Sequence, residues 1–150
     1  NNTFGKDNLL KREEFVKMIV GIIEDNVNSE NINFVDVDTS AWYAPYITKA
    51  ANAGIISGYG NGRFGVGDFI TREDLAVVIY EAVKDRLKII SSDVKFSDDE
   101  LISEYAKDKI AALRGNAIML GKGNNKFEPK AYVTRAEAAV MIYRVLKWKQ

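Results

Sequence analysis

The chain has 150 residues, with Lys+Arg and Asp+Glu balanced at 21 each and with no His and no Cys. A formal charge of zero leaves no global basic field to recruit nucleic acid or an anionic membrane. The missing residue types exclude disulfides, thiol nucleophiles, imidazole bases and the usual zinc, haem and iron–sulfur ligand sets. Hydrophobic residues at 47% against only 2 prolines predict a packed core, in one compact domain or a few small repeated units.

In chain order, the opening Asn1-Asn2-Thr3-Phe4-Gly5-Lys6 carries neither an initiator Met nor a basic and apolar leader, so the expectation is a mature or excised fragment. A core helix is predicted from near Lys11. A polar connector spans residues 27–33, and a shorter helix follows from about Tyr43 to Ala53. The glycine-rich turn Gly58-Tyr59-Gly60-Asn61-Gly62 leads into a second core helix from Thr71. A second connector, residues 89–95, precedes a short helix from near Glu104, the turn Gly121-Lys122-Gly123-Asn124-Asn125 and a third core helix from Thr134. The most apolar stretches, residues 19–23 and 76–80, fall far below the ~18 residues of a membrane-spanning helix.

These elements repeat. Phe64-Gly65-Val66-Gly67-Asp68-Phe69-Ile70-Thr71-Arg72-Glu73 recurs 63 residues later around Thr134-Arg135-Ala136-Glu137, and the same frame stands 60 residues earlier around Arg12. An upstream module, Phe34-Val35-Asp36-Val37 through Ile55-Ile56-Ser57-Gly58, is echoed by Phe96-Ser97-Asp98-Asp99 through Ile118-Met119-Leu120-Gly121. The first copy has no room for this module. The apolar positions Phe15/Met18/Ile19/Ile22/Ile23, Leu75/Val78/Ile79/Ala82/Val83 and Ala138/Met141/Ile142/Val145/Leu146 share one helical face. The expected architecture is therefore mainly α, a pseudo-three-fold bundle with short extended segments. Its divisions are residues 1–28 (the second half of a first repeat), 29–90 and 91–150.

Thr71-x-x-Asp74 and Thr134-x-x-Glu137 have capping-box spacing. Arg12, Arg72 and Arg135 fall in a first helical turn, where the macrodipole disfavours a cation by about 0.3–1 kcal/mol. Two compensations fit: an anion held jointly by the helix start and a guanidinium fork, or a salt bridge to a neighbouring repeat's carboxylate such as Asp36 or Asp98. Trp42 and Tyr59 offer stacking surface with polar tips. Asp36-x-Asp38-x-Ser40 has the opening spacing of a calcium loop but lacks its glycine and its twelfth-position Glu, so no metal is assigned.

Phe34-Val35-Asp36-Val37, Trp42, Gly58-Tyr59-Gly60-Asn61-Gly62-Arg63-Phe64 and Thr134-Arg135-Ala136-Glu137, in this order and spacing, resemble the S-layer homology domain family. The resemblance implies a secreted, non-catalytic anchoring module of the bacterial cell surface, with no cofactor and no membrane insertion. Its implied partner is a peptidoglycan-linked secondary cell-wall polysaccharide, commonly bearing pyruvate ketals on N-acetylmannosamine, gripped in grooves between repeats by the helix-start arginines. Carried over residue by residue, the ligand-binding set is Arg72, Arg135, Arg12, Trp42, Tyr59, Gly58, Gly60 and Asp36. Departures are Lys11 in place of the capping Thr, and Glu104 and Lys122 where the second repeat has Trp42 and Tyr59; the groove that would use the first copy's upstream half is expected to be incomplete. The alternative function is S-layer self-assembly or docking to other subunits, with structural arginines. A two-carboxylate glycosidase is disfavoured because no acidic pair recurs in the repeats.

Overall fold

The computed structural model describes residues 5–23, 33–89 and 91–149. Phe4, residues 27–32 of the first connector, Ile90 in the second, and the division at residue 28 lie outside the described residues. The described residues form five α-helices: α1 (Arg12–Val20), α2 (Ala44–Asn52), α3 (Arg72–Val83), α4 (Glu104–Gly115) and α5 (Arg135–Trp148). Single 3₁₀ turns at Lys84–Arg86 and Asp99–Leu101 complete the helical content, and β pairing among the described residues is limited to isolated bridges. None of these helices is long and apolar enough to cross a membrane.

Each core helix starts from an extended residue with nearly the same dihedrals: φ −80°, ψ 153° at Lys11, φ −82°, ψ 160° at Thr71 and φ −82°, ψ 161° at Thr134. Thr71 Oγ1 accepts from Asp74 N at 3.3 Å, and Thr134 Oγ1 from Glu137 N at 3.2 Å. Lys11 has no side-chain acceptor, so only the reverse half of the cap forms there, with Lys11 N donating to Glu14 Oε2 at 2.8 Å. The substitution of Lys for Thr therefore leaves the helix start where the repeat frame puts it.

The three starts are joined by two closed circuits of backbone hydrogen bonds. Leu10 N donates to Val133 O (2.8 Å), Val133 N to Ile70 O (3.1 Å) and Ile70 N to Leu10 O (3.0 Å). Those three side chains are fully enclosed at the centre. Arg12 N donates to Asp68 O (2.9 Å), Arg72 N to Ala131 O (2.9 Å) and Arg135 N to Asn8 O (3.0 Å). Amides left orphaned at helix N-termini are thus satisfied by the adjoining repeat.

Around this centre α2 packs on α1 and α4 packs on α3. Phe15, Ile19, Ile47, Phe64, Leu75, Ile79, Ile110, Leu113 and Phe127 fill the interior. The predicted apolar face is buried along most of its length. It departs at two ends: α1 stops before Gly21, so Ile22 and Ile23 pack from a turn, and Leu146 on α5 is exposed. Val140 and Tyr143 on α5 are exposed as well. Their counterparts Val77 and Tyr80 on α3 pack against the core beside α4, and among the described residues no short helix covers α5 in that way.

Candidate functional site

The glycine-rich turn is built from beneath by Asp36. Its carboxylate accepts from Phe64 N (2.8 Å), Gly65 N (2.8 Å) and Val66 N (3.0 Å), and Asp98 repeats the pattern on Phe127 N and Glu128 N, both at 2.8 Å. Burial alone would raise both carboxyls, but these backbone donors outweigh it and hold them below the ordinary aspartate value. Asp38 closes a local turn instead, accepting from Ser40 N and Oγ. Gly58 sits at φ +69°, and a Cβ there would meet the Arg63 carbonyl oxygen at 2.4 Å and the Phe34 ring at 2.8 Å. Only glycine fits that approach.

Each helix-start arginine reaches into the next repeat. Arg12 Nε donates to Phe64 O (3.1 Å) and Nη1 pairs with Asp74 Oδ2 (2.9 Å). Arg72 Nε donates to Phe127 O (2.7 Å) and Nη1 pairs with Glu137 Oε2 (3.5 Å). Arg135 Nη1 pairs with Glu14 Oε1 (3.0 Å); the position equivalent to Phe64 and Phe127 is Phe4, outside the described residues. The charge that is unfavourable at its own helix start is thus matched by the third-position acid of the next core helix. Of the two compensations the sequence left open, the structure shows the salt bridge. Its partners are these helix acids, while Asp36 and Asp98 serve the turns.

The three arginines differ in exposure. Arg72 is 2% exposed and lies over the Phe127 ring at 5.0 Å. Burial pulls its pKa below the usual arginine value, against the pull of Glu137 and Glu128. The Arg135 side chain is 33% exposed. Arg12 lines an open groove of about 630 Å³, whose other walls include Gly58, Tyr59, Gly60, Val77 and Val78, Tyr105 and Lys109. Its guanidinium stands 4.6 Å from the centre of the Tyr59 ring. The Tyr59 hydroxyl donates to Asp68 Oδ2 at 2.8 Å, and burial together with that bond pushes its pKa up to about 12, so it remains a neutral donor.

Tyr105 enters the groove from α4, donating to Asp74 Oδ1 at 2.6 Å. One hydrogen-bonded chain therefore joins Arg12, Asp74 and Tyr105, one residue from each repeat. Glu73, 3% exposed, fixes that junction by accepting from Ser103 N (3.0 Å), Ser103 Oγ (2.9 Å) and the Tyr105 hydroxyl (3.2 Å).

The structure thus brings Arg12, Tyr59, Gly58 and Gly60 to one groove, places Asp36 under its turn and encloses Arg72 in the wall between repeats. Trp42 is elsewhere. It is 53% exposed, edge-on to Tyr43 at 5.6 Å, with Lys17 Nζ 5.6 Å from its ring. Lys17 stands one turn along α1 from Glu14, the partner of Arg135. Trp42 and Glu104 precede the buried pair Ala44 and Ala106, which keeps a shift of 62 between the short helices. Ile47 and Ile110, both 1% exposed, stand at a shift of 63, so α4 gains one residue between Ala106 and Ile110, with Tyr105 just before that stretch and Lys109 in it. At the turn, Lys122 does stand where Tyr59 does, pairing with Glu128 at 3.0 Å and Glu137 at 3.5 Å. Sequence reasoning missed Tyr105 and Lys109. The recurring Ile47/Ile110 spacing was the signal that could have located them.

The sequence profile of the S-layer homology domain matches residues 33–76 and 95–139, more than half of the chain. Among curated proteins, the chain is 37% identical to Exoglucanase XynX of Acetivibrio thermocellus over 139 residues, covering 91% of this chain and 13% of that protein. It is 34% identical to the S-layer protein of Bacillus thuringiensis subsp. finitimus, covering 92% of this chain and 17% of the relative. It is 28% identical to the Cellulosome-anchoring protein of Acetivibrio thermocellus (strain ATCC 27405), covering 96% of this chain and 33% of the relative. The chain therefore corresponds to between an eighth and a third of these three relatives' length. The profile match and the repeat frame seen in the structure together make the chain a member of the S-layer homology domain family.

Proposed function

We propose that this chain is a non-catalytic anchoring module that holds a secreted protein at the bacterial cell surface by binding an acidic wall polysaccharide in the Arg12 groove. The observation that carries this reading is the groove itself: an opening of about 630 Å³ with a guanidinium over an aromatic ring and a second cation in its wall. That volume suits one or two sugar units. Tyr59 supplies a ring for the sugar face, and the two cations of the groove, Arg12 and Lys109, give it the positive charge that suits a carboxylate such as a pyruvate ketal on N-acetylmannosamine. The backbone of Gly58 and Gly60 allows close approach. In this reading Arg72 and Asp36 shape the walls, while Trp42 with Lys17, and Arg135 with Glu14, form a second and shallower contact surface. Relatives named as a cellulosome-anchoring protein and an S-layer protein support the anchoring role, and the match to an exoglucanase covers only 13% of that enzyme.

Cosedimentation with purified wall sacculi tests the proposal, comparing the wild type with Tyr59→Ala. Binding that falls at least several-fold in the variant while its melting curve stays cooperative is the expected result; equal binding by both would contradict the groove assignment. A second reading, docking to other surface-layer subunits, is favoured by one observation. Leu9, Phe69 and Tyr132 occupy equivalent repeat positions and are 38%, 42% and 52% exposed, with the Phe69 and Tyr132 rings 5.6 Å apart. Loss of self-association or partner binding in Phe69→Ser/Tyr132→Ser, with wall binding intact, would support it.

A further inference from the structure

The proposed groove contains two cations, and they are held differently. Arg12 is fixed on both sides, to the Phe64 carbonyl through Nε and to Asp74 through Nη1, and its side chain is 10% exposed. Lys109 Nζ rests on Glu81 Oε1 at 2.7 Å, with its side chain 30% exposed. Glu81 is doubly served, since its other oxygen accepts from Lys84 Nζ at 2.7 Å. Departure of Lys109 would leave the Glu81 charge still paired.

The repeat frame supplies an independent argument. In the neighbouring repeat the positions equivalent to Glu81 and Lys109 are Gly21 and Tyr46. Helices α1 and α2 pack without any such ion pair. The fold therefore does not need the Lys109–Glu81 pair, which stands in the wall of the Arg12 groove. On the other side, Tyr46 meets Lys17 Nζ at 5.5 Å, a cation delivered from the core helix; the residue equivalent to Lys17 in the Arg12 groove is the apolar Val77, leaving Lys109 to supply the charge from α4.

Resting on the anchoring reading above, we infer that Lys109 is the residue that reads the ligand's charge: it leaves Glu81 to meet the carboxylate of the glycan, Lys84 keeps Glu81 compensated, and Arg12 positions the Tyr59 wall. A lysine is suited to this exchange because its ammonium turns on a flexible stem, whereas Arg12 would have to abandon two fixed partners.

The test is calorimetric titration with pyruvylated wall polysaccharide of the wild type, Lys109→Met, Lys109→Arg, Glu81→Gln and the Lys109→Met/Glu81→Gln double variant, each with a melting curve. Loss of one charge-assisted hydrogen bond predicts binding weaker by roughly tenfold or more in Lys109→Met. Lys109→Arg should retain most of the affinity. Glu81→Gln should bind more tightly, because the competitor for Lys109 is gone, and that gain should vanish in the double variant. A purely structural ion pair would instead lower the melting temperature in both single variants and would not produce opposite effects on binding. Wild-type affinity in Lys109→Met, or a gain in Glu81→Gln that persists in the double variant, overturns the inference while leaving the anchoring reading intact. No binding by the folded wild type overturns both.

Discussion

A guanidinium in the first turn of a helix is electrostatically misplaced unless something beyond that helix accepts it. Arg12, Arg72 and Arg135 share one solution, a carboxylate on the next repeat, but they are enclosed to very different degrees. Removing Arg72 would empty a fully enclosed site and leave the Phe127 carbonyl without its donor. Arg72→Ala should therefore cost about 2–4 kcal/mol. The Arg135 side chain is 33% exposed, and the share of its pair with Glu14 in the cost of Arg135→Ala should be about 0–1 kcal/mol. Arg12→Ala should fall between them. Urea denaturation of the three variants checks the order; equal losses would mean that enclosure does not set the arginine's contribution. The arginines were legible in the sequence as repeated and unexplained. Their partners were not, because Asp74, Glu137 and Glu14 read locally as caps and only the closed circuit of repeats turns them toward a neighbour.

At the scale of elements, the short helices α2 and α4 end differently on the same backbone. Gly54 has φ +72° with open space where a Cβ would stand, and Ala117, its counterpart, has φ +56°. A left-handed alanine costs about 1–2 kcal/mol, partly offset by the reduced freedom of the unfolded chain. Ala117→Gly should stabilise by about 0.5–1 kcal/mol and Gly54→Ala should destabilise by about 1 kcal/mol, both read from shifts in thermal midpoint. Opposite signs would contradict the equivalence of the two ends. Helix starts were readable to within a residue or two from capping residues and apolar spacing. The early stop of α1 at Gly21 was not, because Ile22 and Ile23 continue the apolar spacing although they pack from a turn. The register of α4 was carried by the Ile47/Ile110 spacing alone: Ala44 and Ala106 stand 62 residues apart and Ile47 and Ile110 stand 63, so one added residue turns the later side chains around the helix.

For the whole molecule, five carboxylates bridge separate segments of the chain around the apolar core. Asp36, Asp98, Glu73, Glu81 and Glu137 would each be raised by burial. Backbone and side-chain donors, with lysine or arginine partners at the three glutamates, outweigh that and hold all five below their ordinary values of 3.8 for Asp and 4.5 for Glu. The folded state then binds fewer protons than the unfolded chain below those values. Its stability should be fully present above about pH 5 and lost progressively as pH falls toward about 2. Denaturant midpoints across that range check this, and a midpoint that rises on acidification would contradict it. The three-fold repetition was visible at once in the sequence, because the Phe-turn and Thr-Arg signatures recur at fixed shifts. The inequality of the three arginine sites was not, since it depends on which short helix covers which core helix.

Binding of a carboxylate-bearing wall glycan in the Arg12 groove is tested most directly by calorimetric titration of the folded chain with pyruvylated and depyruvylated wall polysaccharide at low and high salt. Saturable binding that requires the pyruvate and weakens as salt screens the charges is the predicted result. Equal binding of both polysaccharides, or binding indifferent to salt, would contradict a groove that works through charge.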